Sequence, residues 1–255
     1  MPGTIARGRV ADGVLRIELD SADKMNILSV ETRRGIMDAM KAHESDDRIC
    51  CVVISSLGKV FSAGADLRQL VRLDRKGART YSKFVLAFLD YVENYPRPTI
   101  GVVDGVAVGG GLELLMTLDM VIATPRSSFG QTELNVGLIP GGGGSQRLPR
   151  IVGIRKAKEL IYTGNLLSAE EALRSGLLTK VVDPDDLQDE LSKIFERLKS
   201  KNQSNLRLVK KLINEGFGGG LHSGLEKESG AYSKVLGSRL TKADINRFLE
   251  RRNRS

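Results

Sequence analysis

Apolar and polar residues alternate along 9–10 and 14–19, on either side of Ala11-Asp12-Gly13. That is the pattern of two strands joined by a tight hairpin. Ser29 stands where an N-cap would open a helix to about residue 45, with Ile36, Met37 and Met40 at helical spacing. Residues 49–54 form a short β-branched run and read as a buried strand. Residues 81–92 return to the helical period, with Phe84, Val85, Phe88, Leu89 and Val92 on one stripe. Further buried strands are expected at 98–103 and 119–123. Strands alternating with helices predict an α/β core with crossover connections. Ser168-Ala-Glu-Glu171 is a capping box for a short helix ending at Gly176. A last strand at 177–182 and a long helix at 186–200, led in by Pro184, complete this part. Beyond it no strand is legible. The glycines between 216 and 220 read as a break in helical structure. Thr241-Lys-Ala-Asp244 opens a final amphipathic helix with Ile245, Phe248 and Leu249 expected inward. The organisation expected is a core at 1–195 and a helical region at 196–255, with no low-complexity linker and no tandem repeat.

The 255 residues and 41% hydrophobic content suffice for a large packed core without covalent staples. The two cysteines, Cys50 and Cys51, are neighbours, and neighbours in a strand point to opposite faces. No disulfide framework is expected, which fits a reducing compartment. The most apolar stretch, 100–123, is interrupted by Asp104, Glu113 and Asp119, so no membrane span is expected. The N-terminal ten residues lack the apolar run of a secretory signal. A soluble, cytoplasmic protein is the expectation. The net charge is +8, and 12 basic against 5 acidic residues lie between 201 and 255. That excess fits a polyanionic partner, either nucleic acid or a phosphorylated small molecule, and equally a solvated helical face. The two histidines, His43 and His222, have no ligand at metal spacing, so no metal site is expected. No G-x-S-x-G elbow, phosphate-binding lysine loop or dinucleotide fingerprint is present.

What remains are glycines and carboxylates, gathered in three segments. Phe61-Ser-Ala-Gly-Ala-Asp66 follows a predicted strand; taken alone it reads first as a plain tight turn, and its small residues also let a backbone N–H approach a ligand. In the run 105–116, Gly109 to Gly111 precede an apolar helix whose N-terminus offers free donors and a positive dipole end. Glu113 sits in the first turn of that helix, either as a reactive group or as a carboxylate satisfying the dipole. In the run 129–144, Glu133 is flanked by turn-forming glycines, and Gly141 to Gly144 lead into another helix. Together these segments supply donors for a developing oxyanion and two carboxylates able to share a water.

In these segments the chain resembles the enoyl-CoA hydratase/isomerase family, from about residue 5 to residue 252. The resemblance implies the α/β crotonase fold of repeated ββα units with a C-terminal helical appendage. It implies hydration of a trans-2-enoyl-CoA, or the reverse dehydration, as in fatty acid β-oxidation. It places the thioester oxygen between the N–H groups of Ala63 and Gly110 and the two hydratase carboxylates at Glu113 and Glu133; we read Glu113 as the base and Glu133 as the acid, with both able to grip the same water. It assigns substrate contacts to Gly64, Ala65, Asp66, Leu67, Gly109 and Gly141, with Lys24 and Met25 near the pantetheine and adenine end. Arg251 of the last helix would reach the CoA phosphates. No cofactor beyond the coenzyme A of the substrate is implied, and the family's habit predicts a homotrimer or a hexamer. Thr132 departs from the pattern, which often has proline before the acid. The readings next in order are a double-bond isomerase using Glu133 alone and an RNA-binding protein like the methylglutaconyl-CoA hydratases. The 5% aromatic content provides poorly for base stacking, which disfavours the second.

Overall fold

The computed structural model describes residues 4–252. Strand β1 (Ile5–Ala11) turns into β2 (Val14–Asp20) through Asp12 and Gly13, at φ 51° and 76°. A two-residue hairpin needs such a left-handed pair. The Ser29 hydroxyl accepts from Thr32 N–H and opens α1 (Val30–Lys41). The helix stops short of residue 45 because the N–H groups of His43 and Glu44 fold back onto Met40 and Lys41 as turns. Then follow β3 (Cys51–Ser56), β4 (Val60–Ser62), α2 (Leu67–Leu70), α3 (Arg75–Glu93), β5 (Thr99–Val103), β6 (Val106–Val108) and α4 (Gly110–Leu115). After β7 (Met120–Ala123) and β8 (Ser128–Gly130) comes a 3-10 turn, Glu133–Val136. The unit is completed by α5 (Gly144–Val152), α6 (Ile154–Thr163), β9 (Leu167–Ser168), α7 (Ala169–Arg174), β10 (Lys180–Val181) and α8 (Leu187–Lys199). The last strand is shorter than 177–182 because the N–H groups of Leu177 and Leu178 close α7 on the Ala172 carbonyl instead of joining the sheet.

The strands form a six-stranded sheet in the order β1-β2-β3-β5-β7-β10 and a four-stranded sheet in the order β4-β6-β8-β9. The pairs β3/β4, β5/β6 and β7/β8 each place their first strand in the large sheet and their second in the small one. Successive members pair in parallel in both sheets. The C-terminal ends of β4, β6 and β8 therefore lie side by side, and the three glycine and carboxylate segments leave from those ends. Strand β3 shows how the core is divided. Val52 and Ile54 face one hydrophobic cluster, while Cys51 and Val53 face another that includes Leu191 and Phe195 of α8. This is the period-2 alternation of a strand covered on both faces. Cys50 and Cys51 are buried free thiols.

The first compact unit ends at Ser200 and a second begins at Lys201. The second consists of α9 (Gln203–Gly219), α10 (Leu221–Gly237) and α11 (Arg239–Arg252). Two expectations are corrected here. The glycine-rich stretch stays helical through Gly219 and breaks only at Gly220, at φ 88°. A Cβ on Gly224 would lie 3.2 Å from the Cα of Gly216, so these glycines let α9 and α10 pack backbone to backbone. The last helix starts at Arg239, and Ile245, Phe248 and Leu249 are exposed instead of inward.

Candidate active site

The loop leaving β4 is built by committed hydrogen bonds. Ala63 N–H donates to the Met25 carbonyl at 2.9 Å, Gly64 N–H donates to the Ser62 hydroxyl at 3.1 Å, and the Gly64 carbonyl accepts from Leu28 N–H at 2.8 Å. Asp66 then caps α2 by accepting from Arg68 and Gln69 N–H. The Ala63 N–H is thus occupied, and the expectation that it faces the ligand is corrected. The Ala65 N–H donates to no acceptor among the described residues, and its nitrogen lies close to Gly110: a Cβ on Gly110 would sit 3.5 Å from it. Gly64, at φ 92°, is needed for this approach, since a Cβ there would lie 3.1 Å from Gly110 N.

The loop leaving β6 turns sharply at Gly109 (φ 53°) into α4, whose first residue is Gly110. As a helix-opening residue Gly110 has an N–H with no intrahelical partner. Gly111 packs so closely on β4 that a Cβ would lie 2.6 Å from the Ser62 carbonyl oxygen. One turn into the helix, Glu113 is buried, at 4% exposure. Its Oε1 accepts from Gly142 N–H at 2.7 Å and Gly144 N–H at 2.9 Å. These, and not Gly141, are the glycines whose backbone orients the carboxylate, because the turn at Gly143 (φ 100°) aims both N–H groups one way. Burial pushes the Glu113 carboxyl above its ordinary range, opposed by the two N–H bonds and by the charges of Arg33 and Arg147.

The loop leaving β8 carries Glu133 at the start of the 3-10 turn. Its Oε1 accepts from the Gln131 side-chain amide at 2.8 Å, and its Oε2 is buried with no partner. Burial first, then the charge of Glu113, push its carboxyl up. The fully buried Gln131 fits because Gly144 has no side chain: a Cβ there would lie 2.7 Å from the Gln131 amide carbon.

Both glutamates, Ala65 and Gly110 line one cavity of about 750 Å³. Met25, Ala63, Gly64, Asp66, Leu67, Gly109 and Gly141 also line it. Leu70, Val85, Leu138 and Ile139 add apolar wall. A pocket of this size and polarity suits an apolar chain with a reactive polar end. Phe84 and Phe88 are not in its wall: Phe88 is buried in the core and Phe84 packs against it. Lys24, at φ 55°, is turned away and pairs with Asp20 at 2.6 Å, so it too is absent from the wall. The side chain of Arg251 lies outside the described residues.

The sequence reading did not single out Gln131, Tyr81 or Arg33. A signal for Arg33 existed: it stands three, four and seven residues before Ile36, Met37 and Met40, a charge on the buried stripe of α1.

Residues 9–255 match the family profile described as enoyl-CoA hydratase/isomerase. The chain is 38% identical over 229 residues to a crotonyl-CoA hydratase of Syntrophomonas wolfei, covering 89% of this chain and 88% of that one. It is 32% identical to a short-chain-enoyl-CoA hydratase of Clostridium acetobutylicum, over 92% of this chain and 91% of the relative. The crystal structure of an enoyl-CoA hydratase from Bacillus anthracis superposes with a TM-score of 0.89 at 32% identity, covering 98% of this chain and 97% of that one.

Proposed function

The chain belongs to the enoyl-CoA hydratase/isomerase family and carries its crotonase fold, and on that footing we propose that it adds water across the double bond of a trans-2-enoyl-CoA, or removes it from the 3-hydroxyacyl-CoA. The observation that carries this reading is that buried Glu113 and half-buried Glu133 stand in one cavity wall with Ala65 and Gly110, whose N–H groups donate to no acceptor among the described residues.

Addition to a conjugated thioester starts with charge moving onto the thioester oxygen. The Ala65 and Gly110 N–H groups receive that charge, and a single such donor is typically worth about 10²–10³ in rate. Glu113, aligned by Gly142 and Gly144, takes a proton from water as its oxygen attacks the β-carbon. Glu133, whose carboxyl is pushed up by burial and by the charge of Glu113, delivers a proton to the α-carbon. The acyl chain runs against Leu67, Leu70, Leu138 and Ile139, and the protein acts as a homo-oligomer, a trimer or a dimer of trimers.

The test is the loss of conjugated-thioester absorbance with crotonyl-CoA, run beside Glu133→Gln. The expected result is rapid decay with the wild-type protein and a kcat lower by about 10²–10⁴ in the variant. No decay with crotonyl-CoA or longer enoyl-CoA, together with conversion of 3-enoyl to 2-enoyl thioesters, would replace hydration by isomerisation.

A further inference from the structure

Arg33 is a cation the proposed chemistry has not used. It projects from the buried stripe of α1, is 2% exposed, and lines the same cavity. Its Nη1 donates to the Leu28 carbonyl and, at 3.3 Å, to the Tyr81 hydroxyl of α3. Its Nε is buried without a partner. Its Nη2 lies 3.4 Å from where a Cβ on Gly110 would stand, at the head of the helix that carries Glu113. Among the described residues no carboxylate forms a salt bridge with it; Glu113, three residues beyond Gly110 in α4 and lining the same cavity, is the acid whose charge acts on it.

The other charged groups around Glu113 do not duplicate this. Arg147 of α5 is held by Glu93 of α3 through two hydrogen bonds, 3.1 and 2.5 Å, which offset its charge. Glu133, from the 3-10 turn, is an acid and opposes ionisation. The N–H groups of Gly142 and Gly144 are dipoles without net charge. The Tyr81 hydroxyl faces Arg33. A buried cation with an unpartnered Nε is costly to keep in the fold.

We propose that Arg33 is a positioning residue whose fixed charge keeps Glu113 ionised, so that of the two carboxylates Glu113 is the base and Glu133 keeps the proton. The role rests on the hydration reading, yet the ionisation itself is measurable without turnover. The experiment is an infrared pH titration of the carboxylic-acid band, with the Glu113 component identified by its loss in Glu113→Gln. In the wild-type protein at pH 7 that component is expected to be absent, and in Arg33→Gln its midpoint should rise by about 1–3 pH units. Arg33→Lys, which keeps a charge, should restore a midpoint near that of the wild type. The acidic limb of kcat/KM against pH should move the same way in each variant. A protonated Glu113 in the wild-type protein at pH 7 would overturn the proposal even if no Arg33 variant folds. So would an unchanged midpoint in folded Arg33→Gln. Failure of the hydration reading shows separately, as a wild-type protein that titrates as described yet does not consume crotonyl-CoA.

Discussion

At Glu133 the molecule holds a carboxyl group where folding alone would not place one. One oxygen has a single amide donor, and the other is buried with none. Burial and the neighbouring Glu113 raise its pKa above the ordinary 4.5. The folded state therefore binds this proton more tightly than the unfolded chain does. Its contribution to stability is complete below the unfolded value and is lost as pH rises through the folded value. Glu133→Gln cannot undergo that loss. We expect the variant to melt at a higher temperature than the wild-type protein at pH 8, with the gap closing as pH falls toward 4.5, by scanning calorimetry. A gap that stays constant over this range would mean that the carboxyl is not strained. A catalytic group held at a cost in stability is a common exchange at active sites. At this scale the sequence is legible where chemistry resides in a side chain, as with Glu113 in the first turn of an apolar helix. It is less legible where chemistry resides in a backbone N–H. Ala63 and Ala65 are both small residues in one loop, and only the Met25 carbonyl, from a distant turn, decides which N–H is left over.

Among the elements, the short strands β4, β6 and β8 do the positioning, and glycine sets how near they come. Gly105, at φ 151°, leads into β6, and a Cβ there would lie 2.0 Å from the backbone oxygen of Lys59 beside β4. That same oxygen accepts from Val106 N–H at 3.1 Å. Backbone cannot rotate away as a side chain does. Gly105→Ala should therefore push β4 and β6 apart, costing about 1–3 kcal/mol or more in a urea titration. Because Ala65 follows β4 and Gly110 follows β6, kcat should fall in the protein that remains folded. Wild-type activity at wild-type stability would show that this junction is not what spaces the two N–H groups. The longer elements were legible because their apolar period or their caps are local, as at Ser29 and Ser168. The two-residue strand β10 and the helical glycines of α9 were not, because a backbone contact that the apolar period does not encode decides each. Leu177 and Leu178 close α7 on Ala172, and Gly216 meets Gly224.

For the molecule as a whole, the second unit raises the question of what covers it. Phe217 is 71% exposed, Leu221 78% and Phe248 65%, and Ile213, Tyr232 and Leu240 are exposed as well. A stripe of this kind inside a protein would be core, and amphipathic spacing alone cannot say whether its cover belongs to the same chain or to another. That is why Ile245, Phe248 and Leu249 read as inward from the sequence. Burying a large apolar side chain is worth about 1.5–3 kcal/mol, so several in one interface outweigh the cost of bringing chains together. The protein carries a net charge of +8, which opposes association at long range and is screened within about 8–10 Å at physiological salt. We therefore expect sedimentation equilibrium at micromolar concentration in physiological salt to return three or six times the chain mass of 27.8 kDa. Phe217→Asp combined with Phe248→Asp should shift the mass toward that of a single chain, since each places a charge in apolar surroundings. Dissociation by low salt alone, with both Phe residues intact, would point to charge repulsion as the controlling force. A wild-type protein that sediments as one chain at these concentrations would sink the oligomer and leave the apolar helices to a different partner.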